Sequence, residues 1–224
     1  MRRLFVYAIG LLSYLLAEGL AVAAPADKPI ILFAFGDSLT SGYGLPQGDS
    51  FPVKLQTALR ARGLNVEVVN GGVAGDTSAN GLDRLDWSLP DQADAAIVEF
   101  GANDAFQGVP VVKLKANMDR IVQILKSKGL EVMISGMYAP RNMGVDYTKE
   151  FDQVFPDIAA KYDCVLYPFY LEGVITDPKF NQADHIHPNA AGVDVIVARI
   201  VPTVEQLVAR VTKTRAEHGN HSAN

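Results

Sequence analysis

Ile30-Ile31-Leu32-Phe33-Ala34-Phe35-Gly36-Asp37-Ser38-Leu39-Thr40 is an apolar run that stops abruptly at Gly-Asp-Ser. An unbroken apolar, β-branched stretch reads as a strand buried on both faces, and a glycine followed by two small polar residues ends it. Strands covered on both faces belong to parallel sheets flanked by helices. The run therefore sets the fold class and also leaves a serine at a strand exit.

Further apolar runs at 66–69, 95–100, 131–135 and 164–167 read as four more buried strands. Helical patterns lie between them. Residues 51–62 carry Phe51, Val53, Leu55, Ala58 and Leu59 and end at Gly63. Residues 110–128 carry Val111, Leu114, Met118, Ile121, Val122 and Leu125 at intervals of three and four, ending at Gly129. Asp76-Thr77-Ser78 reads as the cap of a helix over 78–86, another helix covers 148–161, and the last covers about 189–211, where Pro202 should bend or split it. Alternation of strand and helix predicts an α/β fold. We expect a three-layer α/β/α domain whose five-stranded parallel sheet has the flavodoxin-like strand order 2-1-3-4-5. Sites in such sheets lie beyond the strand carboxyl ends, at the switch point beside the first strand. The loops that meet there carry Ser38, Gly75 and Asn103.

With 224 residues, 49% hydrophobic and 20% charged, the chain suits one domain with a sizeable core. A net charge of -5 gives no basic footprint for nucleic acid. Arg2 and Arg3, an apolar stretch over 4–17, and Ala21-Val22-Ala23 and Ala24-Pro25-Ala26 form the pattern of a secretory leader over 1–26. The alternative is an uncleaved anchor, but the run is short for a span and Glu18 interrupts it. The mature protein would then be periplasmic or secreted, with no stable membrane insertion. No cysteine stands near the small-residue site, which excludes acyl attachment there, and the single Cys164 reads as a core residue. The folded domain is expected over 27–212, with a disordered tail over 213–224.

Asp184-His185-Ile186-His187-Pro188 supplies an acid and a base far from Ser38 in sequence. A serine hydroxyl is a weak nucleophile until a neutral imidazole takes its proton, and a carboxylate fixes the tautomer of that imidazole. Of four histidines, two lie in the tail, leaving His185 or His187. His187, three residues after Asp184, is favoured because a tight turn brings that carboxylate to its ring. Read alone, Ser38 could simply cap a helix. The backbone N–H of Ser38, the N–H of Gly75 and the amide of Asn103 are candidate donors to an oxyanion. Gly75 and Asn103 also suit ordinary turns. Asp37 and Asp104 read as loop ties through backbone amides. No cofactor or metal is called for.

Gly36-Asp37-Ser38-Leu39, Gly75, Gly101-x-Asn103-Asp104 and Asp184-x-x-His187 together resemble the four blocks of the SGNH (GDSL) hydrolase family, in order and spacing. Gly75-Asp76-Thr77-Ser78, Gly81-Leu82-x-Arg84-Leu85 and Asp184-x-Ile186-His187-Pro188-Asn189 resemble its periplasmic thioesterase I, lysophospholipase L1 and arylesterase subgroup. The resemblance implies Ser38 as nucleophile, His187 as base, Asp184 as its partner, and Ser38, Gly75 and Asn103 as the oxyanion hole. It implies a small-molecule acyl ester or thioester as substrate. His185 and Ala102 stand where glycine is frequent in such sequences, and the segment 104–110 is expected to line an acyl pocket. Competing readings are a carbohydrate acetylesterase on the same fold, a metal hydrolase built on His185-x-His187 with Asp37 or Asp184, and a non-catalytic binding module. The metal reading lacks a His-Glu-x-x-His helix and a third histidine in the domain, and no Gly-x-Ser-x-Gly elbow of an ordinary α/β-hydrolase is present.

Overall fold

The computed structural model describes residues 28–221. The leader expected over 1–26 and the last three positions lie outside the described residues. The elements run β1 (Ile30–Gly36), α1 (Ser38–Ser41), α2 (Phe51–Ala61), β2 (Val66–Gly72), α3 (Ser78–Ser88), β3 (Ala95–Glu99), α4 (Ala102–Phe106), α5 (Val111–Ser127), β4 (Glu131–Ser135), α6 (Val145–Tyr162), β5 (Val165–Tyr167) and α7 (Ala190–His221). All strand pairs are parallel, in the order β2-β1-β3-β4-β5. The expected fold class and strand order therefore stand. Helices α2 and α7 pack on each other against one face, and α3, α5 and α6 form a continuous layer on the other. The apolar stripe of α5 (Val111, Leu114, Met118, Ile121, Val122, Leu125) is buried, as its spacing requires.

Strand β2 runs three residues beyond the expected 66–69, through Asn70-Gly71-Gly72. These residues resemble a turn but pair with Ala34, Phe35 and Gly36 of β1. Side chains are excluded from both glycines. A Cβ at Gly71 would collide with the Phe33 ring, and one at Gly72 with the backbone of Ser41. The missing side chains let β1 and α1 close over the end of β2. The register aligns Gly36 with Gly72 on one side and with Glu99 on the other, so three strand ends meet beside Ser38.

The C-terminal end departs from expectation. The last helix continues as one element through Pro202 and on to His221, across the tail expected to be disordered from 213. The physical cause is Arg215. Its guanidinium donates to both carboxylate oxygens of Asp94 (3.1 and 2.7 Å) and to the carbonyls of Lys28 (2.9 Å) and Pro29 (3.0 Å). Asp94 also accepts from the N–H of Ile31 at 2.8 Å. The end of α7 is thus clasped to the start of β1. No helix among the described residues is long and apolar enough to cross a membrane.

Removing the clasp should loosen the helix end without touching the site. Arg215→Ala is expected to lower unfolding free energy by about 1.5–3 kcal/mol, the range for hydrogen bonds to a charged group. Urea titration checks this, and trypsin should release the segment beyond Lys213 faster in the variant.

Candidate active site

Ser38 is the first residue of α1, directly after the strand exit. Asp37 caps the helix, its Oδ1 accepting from the N–H of Leu39 at 2.9 Å. Gly42, at φ 81°, ends the helix after one turn. This short turn holds the Ser38 hydroxyl at the sheet's carboxyl edge. His187 Nε2 lies 2.9 Å from Ser38 Oγ, and His187 Nδ1 lies 2.6 Å from Asp184 Oδ2. An ionised Asp184 holds the ring proton on Nδ1, which leaves Nε2 free to accept from the serine. Asp184 Oδ1 accepts from the N–H groups of Ile186 (2.9 Å) and His187 (3.0 Å). Chiefly the His187 hydrogen bond, then these two amides, pull the Asp184 carboxyl down to a pKa of about 2.

The loop that presents the histidine is tied by amides. Gln182 donates from Nε2 to the carbonyls of Tyr43 (2.8 Å) and Pro188 (3.0 Å), and its N–H donates to His187 O. Asn181 and Asn189 bond the backbone on either side. The Tyr43 ring packs on the imidazole at 4.7 Å between centroids. His185 does not touch the serine. It sits at φ 60°, a left-handed conformation that favours glycine, and lines the adjoining cavity. The expected departure at this position therefore has a backbone reason.

Asn103 occupies a junction. Its Nδ2 donates to Asp37 Oδ2 at 3.0 Å and to the carbonyl of Asp76 at 2.9 Å. Both amide hydrogens are thus committed to the protein, whereas the expected oxyanion role requires one to be available. Asp104 accepts from the N–H (2.8 Å) and hydroxyl (2.6 Å) of Ser78, at the start of α3. Arg84, buried in α3, bonds Asp76 Oδ2 (2.6 Å) and the carbonyl of Gly36 (2.9 Å) and lies over the Phe35 ring. Asp37 and Asp104 act as loop ties, as their positions in the sequence suggest. Gly75 sits at φ 88°, and a Cβ there would meet nothing within 4 Å. Its glycine is required by the backbone angle, not by a close protein neighbour. Among the described residues, the N–H groups of Ser38 and Gly75 donate to no protein acceptor.

A cavity of about 670 Å³ opens beside Ser38, Asn103 and His187. Its walls are mostly apolar. Of the segment 104–110, only Ala105 and Phe106 reach it; Met137, Tyr138, Phe169, Leu171 and Ile175 add apolar wall from the loops after β4 and β5. Tyr138 and Phe169 stack at 4.5 Å, and the Arg141 guanidinium lies over Tyr138 at 5.1 Å. Nothing in the local sequence marks these residues, because their loops after β4 and β5 meet only through the sheet order. Tyr43 and Gln182 are further residues that the sequence reading does not single out; the amide pair Asn181-Gln182 just before Asp184 is a local signal for Gln182, and nothing local marks Tyr43.

A family model described as the GDSL-like Lipase/Acylhydrolase family matches residues 34–195. The chain is 36% identical over 181 residues to an arylesterase of Vibrio mimicus, covering 80% of this chain and 90% of that protein. It is 34% identical over 168 residues to thioesterase 1/protease 1/lysophospholipase L1 of Escherichia coli K12, covering 75% and 78%. Among solved structures, the SGNH-hydrolase family esterase AlinE4 matches with a TM-score of 0.68 at 42% identity, covering 80% of this chain and 96% of that one.

Asp37 carries a measurable signature. Burial, only partly offset by the Leu39 amide and His187, lifts its pKa from 3.8 to about 7. The folded state therefore keeps a proton that the unfolded chain releases, so stability falls as pH rises from about 3.8 to about 7 and is level above that window. Asp37→Asn removes this titration and retains an acceptor for Leu39. The stability difference between variant and wild type, from urea titrations across the window, should move in the variant's favour with rising pH. A difference that does not change with pH would contradict the raised pKa.

Proposed function

The chain belongs to the GDSL-like lipase/acylhydrolase family, and on that premise we propose that it is a serine esterase cleaving acyl esters or thioesters through an acyl-enzyme on Ser38. The observation that carries the reading is the line from Ser38 Oγ to His187 Nε2 (2.9 Å) and from His187 Nδ1 to Asp184 Oδ2 (2.6 Å). Ser38 attacks the acyl carbon as its proton passes to Nε2, and Asp184 stabilises the imidazolium. That proton then goes to the departing alcohol or thiol. Water, deprotonated by the same imidazole, releases the acid and regenerates the serine. Both ring nitrogens are engaged in this arrangement, so His187 offers no lone pair to a metal.

The negative charge on the acyl oxygen needs donors. The free N–H groups of Ser38 and Gly75 supply two in this reading. Asn103 supplies the third by sharing with the oxyanion a hydrogen now held by Asp37 or Asp76, since a fully charged oxygen competes well with a carbonyl. The apolar cavity with its stacked Tyr138 and Phe169 favours a fatty or aromatic group over an acetylated sugar. Hydrolysis of aryl or thioester substrates by the relatives is in keeping with that choice.

Steady-state kinetics on an acyl-ester series test the roles together. Ser38→Ala and His187→Ala should each lower kcat by roughly 10⁴-fold or more while the protein stays folded. His185→Gly should keep kcat, because glycine is the easiest occupant of φ 60°, and should shift KM through the cavity wall. Asn103→Ala should lower kcat by about 10²–10³ with KM little changed. A Ser38→Ala variant at the wild-type rate would overturn the nucleophile, and an Asn103→Ala variant altered only in KM would remove it from the oxyanion hole.

The proposal extends to export, resting on the charged, apolar and small-residue order of the leader. Expressed protein recovered outside the cytoplasm should begin near Ala24 or Asp27. Full-length chain in the membrane fraction would favour an anchor instead.

A further inference from the structure

Glu99 ends β3 and is 1% exposed. Its register partner in β1 is Gly36, immediately before Asp37. One carboxyl oxygen, Oε2, accepts from the Thr40 hydroxyl at 2.8 Å; the other, Oε1, is buried without a hydrogen-bond partner. A Cβ at Gly36 would overlap both Glu99 and Thr40, so the glycine makes room for this carboxyl beneath the serine turn. The charged or titratable groups facing Glu99 are Asp37 and Tyr170. Those facing Asp37 are His187, Asp104 and Asp76. Among the described residues no Lys or Arg pairs with Glu99 or Asp37, and Arg84 is committed to Asp76 and the Gly36 carbonyl.

Two buried carboxyls in contact with no cation do not both ionise, because each charge is desolvated and repels the other. We propose that Glu99 stays protonated through the working pH range and acts as a positioning residue, its O–H donating to the Asp37 carboxylate. Above the pH at which Asp37 ionises, the pair then carries one negative charge. That charge leaves Asp37 an acceptor for the Leu39 N–H and the Asn103 amide, and it faces His187, which becomes positive as Ser38 reacts. Burial first, and then the Asp37 charge, raise the Glu99 carboxyl well above the usual range, outweighing the Thr40 hydroxyl and the Asp37 backbone N–H, in agreement with this geometry.

Infrared difference spectra of wild type minus Glu99→Gln, at pH 8 and without substrate, test the proton directly. A protonated-carboxyl C=O band should be present in wild type and absent from the variant; its absence from wild type overturns the proposal. The kinetic arm rests on the esterase reading, whereas the band reports whether or not the protein hydrolyses esters. In that arm Glu99→Gln, a neutral acid replaced by a neutral amide, should keep kcat and leave the acid limb of its pH profile in place. Glu99→Ala, which lacks the donor, should lose roughly tenfold in kcat with KM little changed. A collapse of kcat in Glu99→Gln, or an acid limb moved down by about a unit or more, would mean that wild-type Glu99 is ionised and would overturn the assignment.

Discussion

Asn103 donates one amide hydrogen to Asp37 and the other to the carbonyl of Asp76, and so ties the end of β3 to the ends of β1 and β2. Asp104 adds a second tie, to the start of α3 through Ser78, and Arg84 a third, from α3 back to Asp76 and Gly36. Parallel strands end on loops, and loops are the mobile part of a fold. Here the loops after three adjacent strands share one buried set of hydrogen bonds. The positions of Ser38, Gly75 and Asn103 relative to each other follow from that set more than from any single loop.

The arrangement is not optimised for stability. Asp37 and Glu99 are buried carboxyls facing each other without a cation, and His185 holds a left-handed backbone angle. Each lowers stability in isolation. They cluster around one serine, and the apolar layers of α2, α5, α6 and α7 offset them from a distance. The histidine loop is held mainly by side-chain amides of Asn181, Gln182 and Asn189. A histidine on a loop fixed through several backbone carbonyls meets the serine at 2.9 Å without rearrangement.

The fold was legible because its strands are unbroken apolar runs and its helices keep an even spacing, both short-range patterns. The Ser38, Asp184 and His187 positions were legible because small polar residues end a buried strand and an acid precedes a histidine by three. Three features were not legible. Asn70-Gly71-Gly72 is paired strand where its composition suggests a turn, since the deciding contacts are with Phe33 and Ser41 on another strand and helix. The helical tail depends on Arg215 meeting Asp94, distant in the chain. The cavity wall of Tyr138 and Phe169 comes from two loops that only the strand order brings together. Each depends on long-range contact that no local pattern encodes.

In the proposed mechanism the tied loops aim the Ser38 N–H, the Gly75 N–H and the Asn103 amide at one point beside the serine oxygen. A crystal structure of the protein after reaction with a phosphonate ester tests it most directly. Phosphorus should be bonded to Ser38 Oγ, and its non-ester oxygen should lie within about 2.7–3.1 Å of all three donors, with the Asp37 and Asp104 ties intact. Phosphorus on another residue, or an oxygen turned away from Gly75 and Asn103 toward solvent, would contradict it.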